Sequence, residues 1–273
     1  MSEDNDDSVK KVTQSATGLA VDLIKSVPLD ESTKNTAGGE IGKTIVTLTK
    51  AINVALSPVS LTIFGYEKIK GFIETTLKEK LSKIPEENII HPKGNVVGPA
   101  LENLKYLDEN EEDLSIKNMY ANLIANAINK ETKDSIHPAF VDIIKQLENN
   151  DVMILEAMRV QNAIAFIRIK KKRPSDEGSG ELIVMKYVFN NEIVQSVEFN
   201  PNSLYSSIEN LERLKLITVS DDRFFTDDTL YEKIRNEPTY LSLKTKLQEY
   251  FHESLGMVEI STLGQRFLSV CTD

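Results

Sequence analysis

Two stretches carry residue types at a spacing that could do chemistry: Ala37-Gly38-Gly39-Glu40-Ile41-Gly42-Lys43-Thr44, and the basic run Arg168, Lys170, Lys171, Lys172 and Arg173. The first fits a relaxed phosphate-loop spacing, with Gly42-Lys43-Thr44 in the lysine-bearing position. A working loop needs a buried strand before it, so that backbone N–H groups converge on phosphates at a helix start. Asp30 to Thr36 makes a poor buried strand, and no later strand-helix-strand pattern supplies a magnesium-holding acid, so the stretch reads as a glycine linker before a helix. In the second stretch, Ala165-Phe166-Ile167-Arg168-Ile169-Lys170 alternates apolar with basic, the period-2 pattern of a strand with one wet face. Arg168, Lys170 and Lys172 then share a face and could track phosphates. A solvated hairpin edge guarded by lysines accounts for the same pattern without a ligand.

Catalytic and metal constellations are not visible. His91, His137 and His252 lie far apart and none belongs to a paired ligand motif. His137, before Pro138, reads as a residue that caps or orients a helix start. Cys271, near the end of an apolar helix with no base beside it, reads as a buried structural thiol. The expectation is a protein without catalytic residues, metal or cofactor. Asp108, Glu109, Glu111, Glu112 and Asp113 precede a helix and suit its dipole, with a docking patch for a basic partner as the alternative.

Charge narrows the partners. A net charge of −10 opposes sequence-independent nucleic-acid binding by the whole surface, since such binding neutralises phosphates. Residues 159–200, with seven Lys/Arg against five acids, are the only basic neighbourhood. One cysteine excludes an internal disulfide, and the start lacks the basic and small-residue signature of a secretory signal, so a reducing cytoplasmic location is expected.

The elements that would position these residues follow from periodicity. Residues 1–40 read as an acidic start, an amphipathic helix from Val9 to Val27 and a linker. Residues 41–150 read as a helical lobe. Within it Ala51 to Tyr66 holds sixteen uncharged residues, fewer than the roughly 20 that span a bilayer. A buried hairpin or helix is the plain reading. An interfacial or conditionally inserted segment is the sharper one, with Ile52, Leu56, Leu61, Ile63 and Phe64 entering the membrane. The next helix, Tyr66 to Ile84, has Ile69, Phe72, Ile73, Leu77 and Leu81 on one face, able to cover a core or lie on an anionic surface. Ile116, Tyr120, Leu123 and Ala127 mark a helix. Pro138 opens another as its first residue, with Phe140, Ile143, Ile144 and Leu147, and Asp151 caps a third carrying Ile154, Leu155 and Met158.

Residues 151–273 read as an α/β lobe with a hairpin over 165–199 whose second run is Leu182 to Phe189, followed by a short strand over Glu192 to Phe199. Asn200-Pro201 opens a helix through Leu216 with Leu204, Ile208, Leu211 and Leu214 inward. A strand follows, and Met257 to Ile260 leads into a helix capped by Ser261 or Thr262. That order, helix, strand, strand, helix, is winged-helix-like, with an insert from Asp227 to Leu255 where the wing tip should be. In the first helix Glu209 and Glu212 offset Arg213 and Lys215, so protein contacts or dimerisation are preferred over reading DNA. The fold class is mostly α with a smaller α/β part: a helical N-terminal and central lobe and a winged-helix-like C-terminal lobe.

Certain words of the sequence go further. Asp113-Leu114, the run Tyr120 through Ala127, His137 to Phe140, Leu147 to Asp151, Ser207 to Ile217 and Leu263-Gly264-Gln265-Arg266-Phe267 together resemble the Abi-alpha (abortive infection alpha) family of bacterial proteins associated with phage defence. Lys215 stands where the family pattern has Gly before a Leu-Ile pair. The resemblance implies a non-enzymatic protein that limits phage spread by arresting or killing the infected cell. Its trigger would come from phage or host, and homo-oligomers are compatible with it; the uncharged stretch beside a lysine-bearing amphipathic helix adds the expectation that a trigger sensed by the C-terminal lobe releases residues 41–66 to engage the inner membrane. The competing expectation is a nucleic-acid-binding regulator or sensor using Arg168, Lys170, Lys171, Lys172 and Arg173.

Overall fold

The computed structural model describes residues 69, 71–92, 94–107, 114–173, 180–190 and 201–272. The glycine-lysine stretch at 37–44, the apolar segment 41–66, the acidic run 108–113 and the expected strand at 192–199 lie outside the described residues. The chain divides into two units, Met1–Gln146 with Ser269–Asp273, and Leu147–Leu268.

The helical unit is organised on α3 (Leu114–Ile128), which follows α1 (Lys78–Ser82) and α2 (Gly94–Leu104). The expected stripe of Ile116, Tyr120, Leu123 and Ala127 is buried, and so are Met119, Ala121, Ile124 and Ile128, so α3 is covered nearly all round. A helix apolar over most of its circumference becomes the centre of its unit. Before α1 the chain makes a π-helical turn, Ile73–Leu77, closed by the Lys78 N–H on the Ile73 carbonyl. Ile69, Ile73, Leu77 and Leu81 recur every four residues, and each step of four overshoots an α-helical turn by about 40°. The wider π turn takes up that drift, and all four side chains are fully buried. This face is therefore spent on the core. His137 Nδ1 accepts the Ala139 N–H at 3.1 Å and holds the start of α4 (Ala139–Lys145), where Pro138 occupies the N-cap rather than the first helical position. The last turn of α9 (Thr262–Cys271) also belongs to this unit: Asn122 and Asn126 of α3 donate to the carbonyls of Cys271 at 3.3 Å and Val270 at 2.9 Å, satisfying groups that a helix end leaves open.

The second unit is built on a four-stranded antiparallel sheet in the order β2-β1-β4-β3, from β1 (Ala163–Lys172), β2 (Glu181–Val188), β3 (Ile217–Ser220) and β4 (Phe251–Ile260). β1 follows α5 (Asn149–Gln161) through Asn162, which takes a left-handed φ of 58°. At the other end of α5, Asp151 is not the cap: Glu148 is, and Asp151 sits three residues into the helix, accepting the Glu148 N–H at 2.9 Å in a capping box.

The wet face expected for the first strand is absent. Ile164 to Ile169 are all buried, because β1 lies inside the sheet and side chains cover both of its faces. On one face Ala165, Ile167, Ile169 and Val188 pack with Tyr231 and Ile234 of α7 (Thr229–Arg235) and Tyr240 of α8 (Pro238–Leu247). Both helices belong to the expected insert. On the other face Phe166 meets Tyr187 edge to face at 5.1 Å, and Tyr205 of α6 (Pro201–Arg213) donates its hydroxyl to the Tyr187 carbonyl at 2.9 Å.

The helix-strand-strand-helix order of α6, β3, β4 and α9 is present, and it closes on one junction. After α6 the Leu216 N–H bonds the Leu211 carbonyl and the Lys215 N–H that of Glu212, with Lys215 at φ 60°. This is the Schellman ending, and its left-handed position normally takes glycine because a Cβ crowds the carbonyl there. Ser261 then caps α9, accepting the Gly264 N–H at 2.9 Å, donating its hydroxyl to the Lys215 carbonyl and its N–H to that of Leu216. A Cβ on Gly264 would stand 2.0 Å from the Leu216 oxygen. Gly264→Ala is expected to cost about 3 kcal/mol or more in urea unfolding. Lys215→Gly, at an exposed side chain, should gain roughly 0.5–1 kcal/mol.

Candidate functional site

The basic strand is the site that sequence proposed, and it sits where β1 is held on both sides, by β2 and by β4. Arg168 faces Ser254 across the β1–β4 ladder and is only 8% exposed. Its guanidinium pairs with Asp221, just beyond β3, and its Nε donates to the Lys186 carbonyl at 3.3 Å. The rings of Phe166 and Tyr187 lie 5.8 and 5.9 Å from the guanidinium carbon. A cation removed from water persists only with such a set of partners, and removing one member leaves a buried group uncompensated.

Its neighbours are engaged in similar ways. Lys170 lies 3.5 Å from Glu181, whose carboxylate also bonds His252. Lys171, on the opposite face, stands 5.9 Å from the centre of the Tyr250 ring. Lys186 pairs with Glu209 of α6 at 2.6 Å, and that hydrogen bond raises the pKa of its ammonium. Burial raises the pKa of the Glu181 carboxyl, but His252 and Lys170 together outweigh it and hold the pKa below the ordinary value. Because the pKa is depressed, stability from this trio is present above the ordinary carboxylate range and is lost as the pH falls through the lowered value. Lys172 and Arg173 are exposed at the strand end. The structure thus brings Arg168 and Lys170 onto one face, as the alternation predicts, and places an acid against each.

A second polar cluster was not singled out in the sequence. Arg235 of α7 contacts Asp228 at 3.1 Å, Glu232 at 3.0 Å and Glu253 of β4 at 2.9 Å, and Glu253 takes a hydrogen bond from the Tyr240 hydroxyl of α8. Burial of the phenol and the Glu253 contact push the Tyr240 pKa up. The only sequence signal was the i, i+3 spacing of Glu232 and Arg235; the Glu253 and Tyr240 contacts depend on tertiary folding. The cluster fastens the two insert helices to the sheet.

Cys271 is fully buried, and burial pushes its thiol up, away from the thiolate a nucleophile needs. Among the described residues no group of three or more His, Cys, Asp or Glu is placed to hold a metal ion.

Arg168→Ala is expected to cost about 2–3 kcal/mol in chemical denaturation. Lys172→Ala and Arg173→Ala should each change stability by less than about 0.5 kcal/mol. The Glu181 carboxyl, followed by NMR, should titrate below the ordinary range and return toward it in His252→Gln.

Comparison with known proteins adds the family. No curated protein matches the chain. A solved structure of an uncharacterized protein from the hydrocarbon-degrading marine bacterium Alcanivorax borkumensis SK2 is similar at 15% identity and a TM-score of 0.33, over 52% of this chain and 94% of that one, a likeness too slight to carry a fold across. The model of the family described as Abortive infection alpha matches residues 65–271, which include both the His137 to Phe140 helix start and the Lys215–Gly264 junction. The chain belongs to the Abortive infection alpha family.

Proposed function

We propose that this protein limits phage spread by arresting or killing the infected bacterial cell, and that it does so without catalysis. The family match over 65–271 carries the reading. Its non-enzymatic part is supported by how the reactive side chains are used: His137 on a helix start, Cys271 in a core and Arg168 against Asp221.

For the killing step we favour engagement of the inner membrane face by residues 41–66, released when a phage or host trigger is sensed. The uncharged composition of Ala51 to Tyr66 supports this. No helix among the described residues is long and apolar enough to cross a membrane. The helix face of Ile69, Ile73, Leu77 and Leu81 is buried, so the step rests on Ile52, Leu56, Leu61, Ile63 and Phe64. We read α6, β3, β4 and α9 as a winged-helix-like arrangement for protein contacts, including self-association, on the strength of their order. One observation favours nucleic-acid binding as a second reading: Lys172 and Arg173 are exposed beyond the paired cations. Changing Lys170 to Arg173 to Glu should abolish salt-dependent duplex binding if that reading holds.

Expression of the chain in a bacterial host should lower phage plaquing, with cell death at high phage dose, relative to an empty vector. Leu61→Asp with Ile63→Asp should abolish protection and membrane partition while the fold survives. Full protection by that double variant would rule out the membrane step, and no protection by the parent chain against a broad phage panel would remove the defence reading.

A further inference from the structure

The end of the β1–β2 hairpin stays apolar after the core has stopped. Val188 and Met185 of β2 belong to the packing around Ile169 and Tyr240. Beyond Met185, toward the turn, Val184, Ile183 and Leu182 are 41%, 57% and 47% exposed. Single aliphatic residues on a surface are ordinary, whereas three in succession make a patch. They are held in a closed strand pair, since the Arg173 N–H donates to the Gly180 carbonyl at 3.1 Å. Leu182 lies three residues past Met185, about 10 Å at strand spacing.

The register sets a cation beside each aliphatic. Lys170 is opposite Ile183 and Lys171 is opposite Leu182, and residues directly opposite share a face of the sheet. Neighbouring pairs point to opposite faces, so each face of the hairpin end carries one aliphatic and one lysine. The ladder slips between Ile169 and Lys170, which leaves Val184 opposite no residue of β1. Lys172 and Arg173 are exposed at the end of β1. Tyr250, half-buried, lies under the Lys171 ammonium and adds an amphipathic ring of the kind that suits a water–lipid boundary. The one acid among these described residues, Glu181, is occupied by His252 and Lys170. The connection to β2, outside the described residues, adds Asp176 and Glu177, so cations still outnumber acids.

This arrangement selects its occupant. A flat protein surface covers one face of a strand pair, and Ile183 and Leu182 point to different faces. A fluid medium closes around both. A nucleic acid would use the same cations, but bases stack on aromatic rings, and the exposed neighbours of these lysines on β2 are aliphatic. Positive charge around the patch matches anionic headgroups. We propose that the hairpin end is a reversible contact for an anionic lipid surface, with Leu182, Ile183 and Val184 at the headgroup–acyl boundary and Lys171, Lys172 and Arg173 toward the lipid phosphates. A patch of this size is one weak anchor, and stable attachment takes a second. The contact is therefore read at equilibrium, and it does not rest on the defence reading or on residues 41–66.

The chain has no tryptophan, so Ile183→Trp supplies a single fluorescent reporter in the full chain. It is titrated with vesicles of phosphatidylcholine, with and without phosphatidylglycerol. Its emission should shift to the blue, saturably, with the anionic vesicles; the half-saturating lipid concentration should rise at least tenfold without phosphatidylglycerol and should also rise with salt. Adding Lys172→Ala with Arg173→Ala should raise it at least fivefold. Adding Leu182→Ser with Val184→Ser, which leaves the charge unchanged, should do the same, and circular dichroism should show both proteins folded because all four positions are exposed. The shift should survive Leu61→Asp with Ile63→Asp, so failure of the membrane step assigned to residues 41–66 and failure of this contact are separate results. No blue shift, equal shifts on neutral and anionic vesicles, or undiminished affinity in the folded serine variant would overturn the proposal. So would loss of the shift in the Leu61→Asp, Ile63→Asp protein. Duplex DNA binding that depends on Lys172 and Arg173, in a chain whose reporter does not shift on vesicles, would overturn it in favour of nucleic acid.

Discussion

The second unit depends on the contact of two backbones, where the Leu216 carbonyl meets the first turn of α9 at a distance that no side chain on residue 264 could share. Four elements end or begin there: α6 finishes, β3 starts, β4 finishes and α9 starts. The Ser261 hydroxyl and N–H stitch the turn to the helix start. Once that contact is made, β3 and β4 are in register from Ile217 opposite Ile260, and β4 in turn aligns β1 from Ala163 to Lys171. Two patches of sequence that carry the family resemblance, Ser207 to Ile217 and Leu263 to Phe267, are the two sides of this junction. Their wording records a packing and turn requirement, which is why it identifies a family more firmly than a mechanism. Lys215 departs from the glycine of that pattern, yet the Schellman hydrogen bonds are both made, so the backbone geometry is kept at the expense of some left-handed strain.

Helices were legible wherever a 3.6-residue period had no competing interpretation. The inward residues of α3, α4 and α5 follow from spacing alone, because burying an apolar stripe is a local instruction. Finer placement was less legible. Asp151 looks like a cap by type, but Glu148 fills that position and Asp151 also takes the Asn210 amide of α6 at 2.7 Å, a partner 59 residues away. The π turn at Ile73–Leu77 was invisible because a four-residue apolar repeat reads equally well as an ordinary helix; only the packed core distinguishes them.

The basic strand shows where period-2 reasoning fails. Alternation of apolar and basic residues implies water on one face only if the cations must reach water. Arg168 does not, because Asp221, the Lys186 carbonyl and two aromatic rings replace its hydration. Of these only Phe166 is near it in sequence, so the pattern could not reveal Asp221, Lys186 or Tyr187. A phosphate-tracking row and a set of internal ion pairs have the same spacing, and they differ only in whether acids arrive from β2 and the end of β3.

Two of the buried phenols show how far satisfaction of polar groups extends. Tyr231 accepts the Phe225 N–H at 3.0 Å and donates to the Gly256 carbonyl at 3.1 Å, so it anchors α7 on β4 at no polar deficit. Tyr120, at the centre of the helical unit, is 1% exposed and makes no hydrogen bond of ordinary geometry, although the Asn103 side chain lies beside it; burial pushes its phenol above the usual range. An unbonded buried hydroxyl costs roughly 1–3 kcal/mol, so among the described residues the helical unit carries a deficit that the sheet unit does not. Replacing that tyrosine by phenylalanine would remove the deficit without changing the ring. A gain in stability with unchanged activity would class the hydroxyl as a packing remnant, whereas a gain in stability with lost activity would mean that the hydroxyl contributes to function despite its cost.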